Sequence, residues 1–302
     1  DYSSAWCALA LLATGDPKYS RQIRKAARSF AEEYEFRSEP SRSDLIGGEK
    51  DTQSNWKVCM AGIFLGEYLL ATGDESVLKA LRHCCQRLEA RLHPQNGRLG
   101  HSRDRLPYSE KGLVIINVHA HLMWALAAQV HELEWDWDPW ELSYKAIDAS
   151  IGRDGGVGYN FSARGGSQSG SRTGAIVTAQ FLADRDTGAA RKLSGWLKDN
   201  HQQFPNTHAL TSLGLIYGVM GLKNASDSGW RKCMDDYRWM FSLVQPANFD
   251  HGSYYFGQRK NTGGDGYCNR RLVANFVTVM MLSSHRDDTL WMLGNRKRGW
   301  YE

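Results

Sequence analysis

The chain lacks any apolar run approaching about 18 residues, so it holds no segment of the kind a membrane-spanning helix requires. It also lacks charge of one sign. Its 37 basic and 33 acidic side chains leave a formal +4, scattered along the sequence, and no electrostatic footprint for nucleic acid follows from that. Paired cysteine spacing is absent: Cys7, Cys59, Cys84, Cys85, Cys233 and Cys268 form no CxxC, and most fall on apolar helical faces where a small buried thiol is the ordinary reading. No basic-then-apolar leader is visible. The chain enters a helical pattern directly after Asp1, from which we expect a mature form or part of a longer parent, and the compartment stays open.

What is there is globular composition. With 42% hydrophobic and 23% charged residues over 302 positions, the chain can fill a core and is neither disordered nor collagen-like. The hexapeptide Leu11-Leu12-Ala13-Thr14-Gly15-Asp16 recurs unchanged as Leu69-Leu70-Ala71-Thr72-Gly73-Asp74, 58 residues later. In each copy the glycine can take the left-handed conformation that closes one helix, and the aspartate can cap the next by accepting from its free amides. Helical spacing flanks the second copy: Val58, Ala61, Gly62, Leu65 and Leu69 before it, Val77, Leu81, Cys84 and Leu88 after it.

The alternation continues, predicting first-of-pair helices near 117–132, 172–184, 207–222 and 269–284. Second-of-pair helices are expected near 17–35, 139–151, 187–200, 227–244 and 286–294. First members are rich in Ala, Gly and aliphatic residues, whereas second members carry the charges. A helix apolar on most sides must be surrounded, so inner helices ringed by amphipathic outer ones are the economical arrangement. We therefore expect an all-α fold, an (α/α)6 toroid of about six helical hairpins with glycine-rich loops, occupying 1–302 as a single domain.

The stretch Asp154-Gly155-Gly156-Val157-Gly158-Tyr159, followed by Ser171-Arg172-Thr173-Gly174-Ala175, resembles the glycine-rich loop and inner-helix start of the prenyltransferase and squalene-cyclase repeat superfamily. For a cyclase the resemblance implies an Asp-x-Asp-Asp acid at the head of an inner helix. None is present, since Asp136-Trp137-Asp138-Pro139 and Arg286-Asp287-Asp288 fall where outer helices begin. For a protein prenyltransferase it implies zinc held by Asp, Cys and His. Gly264-Asp265-Gly266-Tyr267-Cys268 is similar to that pattern, one residue out of spacing, and His208 would have to replace a histidine from a hairpin this chain does not contain. Asp265, Cys268 and His208 would make an open three-ligand zinc set; otherwise Asp265 is a cap and Cys268 is core.

Polar clusters precede or open the first-of-pair helices, and parallel inner helices would gather them at one mouth. Capping accounts for Asp51, Ser171 and Asn206. It does not account for His119, His121, His208, Arg172, Arg270 and Arg271. We take His119, His208, Arg172 and Asp265 as candidate catalytic residues, the histidines for proton exchange near neutral pH and Arg172 to hold an anionic group. Tyr159, Asn117, His121, Asn206, Asn269 and Arg270 are the candidate substrate contacts. Tyr108, Tyr254, Tyr255 and Tyr267 lie in loops near the same mouth. Eleven Trp and thirteen Tyr offer stacking surfaces, and a mean hydropathy of −0.51 is low for a chain enclosing a large greasy cavity.

Three readings follow. The first is a hydrolase or lyase acting on a polar, saccharide-like substrate without a cofactor, although no carboxylate pair is evident beyond the possible association of Asp51, Glu110 and Asp265. The second is a non-catalytic toroid binding a small molecule, a glycan or another domain of the parent protein. The third is a zinc-dependent transferase. None calls for nucleic acid or a membrane span.

Overall fold

The computed structural model describes residues 2–47, 53–102, 112–133, 138–161, 168–185, 188–206, 211–244 and 270–301. Among these the fold is all-α, and the sole strand-like pairing is an isolated bridge between Ile151 and Val157. The helices are α1 (Tyr2–Ala13), α2 (Ser20–Tyr34), α3 (Arg42–Ile46), α4 (Ser54–Thr72), α5 (Leu78–Arg91), α6 (Val114–Ala127), α7 (Asp138–Asp148), α8 (Gly170–Leu182), α9 (Ala190–Asn200), α10 (Thr211–Ala225), α11 (Asp227–Asp236), α12 (Arg238–Val244) and α13 (Arg270–Ser283).

Burial separates two kinds of helix. Every residue of α6 is buried, as is all of α4 from Val58 to Ala71. By contrast α2 buries only Ile23, Ala27, Phe30, Ala31 and Tyr34, one stripe at helical spacing, and α9 only Leu193, Trp196 and Leu197. The apolar helices pack on one another in chain order: α1 on α4, α4 on α6, α6 on α8, α8 on α10, α10 on α13, and α13 back on α1. The amphipathic ones lie against them, with α2 on α1 and α4, α5 on α4 and α6, α7 on α6, α9 on α8 and α10, and α11 on α10. Leu65, Leu122, Leu213 and Phe276 are all buried. The closest approach joins α8 to α10: a Cβ on Gly174 would stand 1.9 Å from the Tyr217 carbonyl oxygen, and one on Gly221 would stand 2.6 Å from the Cα of Gly174. Only residues without side chains let these two backbones meet.

The two hexapeptides build the same turn. Gly15 and Gly73 take φ of 64° and 68°. The Thr14 and Thr72 hydroxyls donate to the carbonyls of Leu11 and Tyr68 and accept from the amides of Asp16 and Asp74. The two aspartates in turn accept from the amides of Lys18 and Ser76, capping the helical turns that lead into α2 and α5.

Two expected elements differ. The outer helix predicted near 227–244 is two, α11 and α12, parted at Tyr237. The outer helix predicted near 286–294 is an irregular strap holding a single 3-10 turn, Trp291–Leu293, ended by Gly294 at φ 111°. A continuous helix there would spend on its own i to i−4 bonds the Trp291 and Met292 amides that the strap gives to Glu67. The Arg286 guanidinium donates to the Thr14 carbonyl behind α1, and the amides of Gly299 and Tyr301 donate to the last-turn carbonyls of Leu70 and Ala71 in α4. Asn224, in the last turn of α10, donates to the Met292 carbonyl. Arg296 stacks over Phe181 at the end of α8, and Arg298 pairs with Glu132 beyond α6. From the middle of α4, the carboxylate of fully buried Glu67 accepts the amides of Trp291 (2.9 Å) and Met292 (2.7 Å). Among the described residues, no helix is long and apolar enough to cross a membrane.

Candidate functional site

Five apolar helices each send one ring to a common cluster near their N-terminal ends. Trp6 of α1 lies 5.5 Å from Tyr217 of α10 and 6.0 Å from Phe276 of α13, centroid to centroid. His119 of α6 lies 5.1 Å from Tyr217 and 5.2 Å from Trp56 of α4. The contacts join α6 and α1 to α10, helices that are not neighbours in the packing succession, so these rings meet across the interior. Trp6, His119, Tyr217 and Phe276 all stand in the second turn of their helices and are buried, whereas Trp56, in the first turn of α4, is half-buried.

Beyond Trp56 the cluster extends to His101, also half-buried, whose ring stacks on the indole. The Trp56 Nε1–H donates to His101 Nδ1 at 2.7 Å, so the neutral imidazole carries its proton on Nε2. The loop bearing His101 is stitched in place from both sides. Asn55 donates its backbone amide to the His101 carbonyl and its side-chain amide to the Gly100 carbonyl. Asn117 accepts the Leu99 amide and donates to the Gly97 carbonyl. His101 also falls below the usual histidine range because burial disfavours its cation.

Deeper in, four polar atoms are buried with no hydrogen-bond partner: His119 Nδ1 and Nε2, Tyr217 Oη and Trp6 Nε1. Burial pushes His119 down to about 3 and the Tyr217 phenol well up, so both are neutral at physiological pH. Buried polar atoms left unpaired each cost on the order of 1–3 kcal/mol, and this cluster holds four of them, beside His121 Nδ1 and Trp124 Nε1 in the ring cluster on the other side of α6.

The remaining expected site residues divide. His121, two residues from His119 and thus about 200° around α6, points the other way. Its Nε2 is 3.0 Å from the Ser143 hydroxyl, and its ring meets Trp124, Trp140 and Tyr144; burial pushes it down to about 3. Asn117, expected as a substrate contact, spends its side chain on the 97–99 loop and on Ser143. The two are joined through Ser143 in a buried network. Arg172 is buried, donates Nε–H to the Val157 carbonyl at 3.2 Å, and lies over the half-buried Tyr159 ring; burial lowers it to about 10. The cap of α8 is Ser169, not Ser171. The glycine-rich loop owes two of its glycines to packing: a Cβ on Gly155 would stand 2.1 Å from the Lys192 carbonyl oxygen of α9, and one on Gly156 would strike Trp196.

Asn206 ends a 3-10 segment, His201–Asn206, and is exposed. Arg270 opens α13, and nothing is described of its side chain. His208, Asp265, Cys268 and Asn269 lie outside the described residues, as do Asp51, Glu110, Tyr108, Tyr254, Tyr255 and Tyr267. Among the described residues no group of three or more His, Cys, Asp or Glu could hold a metal ion. Sequence reasoning passed over Trp6, Trp56, Tyr217 and His101. A legible signal for two of them was available, in that Trp6 and Tyr217 each stand in the second turn of a helix whose neighbouring positions are small or aliphatic.

Residues 1–129, through the end of α6, match the family model of DUF6288, a domain of unknown function. No curated protein and no solved structure matches the chain.

Proposed function

We propose that the chain is an (α/α)6 toroid, with α1, α4, α6, α8, α10 and α13 as inner helices, and that it takes up a polar, saccharide-like ligand at the inner-helix heads. Support for the toroid comes from the packing succession that returns from α13 to α1, and from rings of non-adjacent helices meeting in the interior. The resemblance to the prenyltransferase and squalene-cyclase superfamily enters at this level, as a shared pattern of helix pairing. The observation that carries the ligand reading is the run His101, Trp56, His119, Tyr217, Trp6, which leads from a half-buried rim to buried, unpaired polar atoms. Aromatic faces stack on sugar rings while hydroxyls and ring nitrogens bond their hydroxyl groups.

Binding is the part of this function that the described residues support best. His119, held neutral with a basicity far below neutral pH, is a poor proton carrier, and His101 presents a donor tautomer rather than a free base. A hydrolase or lyase reading adds groups from His208 or Asp265. It is favoured by the fact that α10, which carries Tyr217 into the cluster, begins at Thr211, three residues after His208. Titration of intrinsic tryptophan fluorescence with an oligosaccharide panel tests binding, and release of reducing ends or unsaturated products tests turnover. Binding abolished by Trp56→Ala in a folded protein is the expected result; indifference of the wild-type protein to every glycan overturns it. Turnover lost in His208→Ala with binding intact would establish the enzymatic reading.

A further inference from the structure

Across the six apolar helices α1, α4, α6, α8, α10 and α13, Glu67 is the single acidic side chain. It is wholly buried, and the backbone of the strap takes both its oxygens, Oε2 through the Trp291 amide and Oε1 through the Met292 amide. Arg296 is the cation that acts on it, yet that guanidinium bonds the Trp291 and Asn295 carbonyls and stacks on Phe181 and Trp291. The charges of neighbouring elements are directed elsewhere. Lys223 of α10 lies over Trp230, Arg24 of α2 acts on Asp74, and Lys79 of α5 pairs with Glu35. In the strap Arg286 pairs with Asp288 and Arg298 with Glu132. Arg172 of α8 and the two histidines of α6 stand near the heads of their helices, and α1 carries no charge. Among the described residues, an ionised Glu67 is therefore a buried carboxylate without an ion pair, a costly arrangement that access to water relieves.

We propose that the strap is a pH-gated latch: with Glu67 protonated its 290–293 turn stays seated on α4, α8 and α10, and with Glu67 ionised the turn lifts while the helices remain folded. Lifting uncovers Leu290, Trp291, Met292 and Leu293, all buried when the latch is shut, together with their seat on the three helices. The strap can move alone because its own helical content is one 3-10 turn, so no helix loses an internal hydrogen bond when it goes. The sign follows from burial. Desolvation raises Glu67 from 4.5 to about 7 while the strap is seated, and contact with water restores the ordinary value. The shut form is favoured in full below 4.5 and loses that advantage as pH rises through 7. Between pH 5 and pH 8 the opening equilibrium should move toward the open form by about 70-fold.

The experiment is amide hydrogen exchange of the intact chain at pH 5, 6, 7 and 8, each rate divided by the intrinsic rate at that pH. The reporters are the amides of Gly299 and Tyr301, which donate to Leu70 and Ala71 and do not touch Glu67. Amides in the middle of α6, every residue of which is buried, report opening of the whole fold. The expected result is that the strap amides open more readily than those of α6 at every pH, and that their opening constant rises by about 70-fold from pH 5 to pH 8. In Glu67→Gln the strap profile should be flat. Strap amides that exchange in step with α6 throughout would show that the segment leaves only when the whole chain unfolds, and would overturn the latch. So would a flat wild-type profile, or an unchanged rise in Glu67→Gln. If Glu67→Gln does not fold, Arg296→Gln decides: losing the cation that acts on Glu67 should move the rise to higher pH, and an unmoved midpoint overturns the proposal.

Discussion

Replacing Glu67 with Gln should remove a pH dependence of stability whose sign and size follow from where that carboxylate sits. Glu67 is wholly buried in α4, and desolvation raises it from its ordinary 4.5 to about 7, against the opposing pull of the Met292 and Trp291 amides and of Arg296. Between those two values the folded protein holds a proton that the unfolded chain has released. The stabilisation is therefore fully present below 4.5 and is lost as pH rises through 7. At ~1.36 kcal/mol per unit, the full span is worth about 3 kcal/mol, of which about 2.5 falls between pH 5 and pH 8. Glutamine cannot ionise, and the one strap amide it leaves without an acceptor is a cost independent of pH. His119 and His121, both pushed down to about 3, act in the opposite sense: their contribution is present above 6.5 and lost as pH falls below it. They are common to both proteins and cancel in the difference. Urea unfolding of wild type and Glu67→Gln at pH 5, 6, 7 and 8 should show the variant gaining on the wild type by about 2 to 3 kcal/mol across the series. Parallel pH profiles would refute the reasoning, because they would mean that Glu67 has the same proton affinity in the folded and unfolded chains.

Three further outcomes are expected. Leu213→Asp buries an unpaired carboxylate at a site 3% exposed and should cost about 3–5 kcal/mol, whereas Arg24→Asp on the exposed face of α2 should shift thermal unfolding little; equal effects would contradict the assignment of helix faces. Gly174→Ala must move the α10 backbone and should cost about 3 kcal/mol or more, while Gly195→Ala, in α9 with open space around it, should stabilise by roughly 0.5–1 kcal/mol. Protein purified without chelator should hold no stoichiometric zinc; one zinc per chain, lost in Cys268→Ser, would replace the proposed saccharide reading by the transferase built on Asp265, Cys268 and His208.

The helix pairing was legible because it is written in local terms: a repeated Thr-Gly-Asp turn and helices that are either apolar all round or amphipathic. The site was less so. His119 and His121 were read together because both lie near the head of α6, but a two-residue step on a helix separates their directions, and α6 buries every residue, so polarity could not say which way is inward. Asn117 looked like a mouth residue and proved to fasten a loop brought alongside only by tertiary packing. Glu67 left the clearest unread trace, a lone carboxylate within the apolar run Gly62 to Ala71. Its partners, the amides of Trp291 and Met292, are 224 and 225 residues away and belong to a strap whose Arg286-Asp287-Asp288 start imitates a helix cap.

That strap has a consequence for how the chain comes apart. One continuous segment, 286–301, holds the C-terminal ends of α1, α4 and α10, so the last residues of the fold clasp helices that lie as much as 285 positions earlier. Pulling that clasp away would free three helix ends at once. Deleting the residues from Arg286 onward should therefore cost more stability than removing any one of these bonds singly.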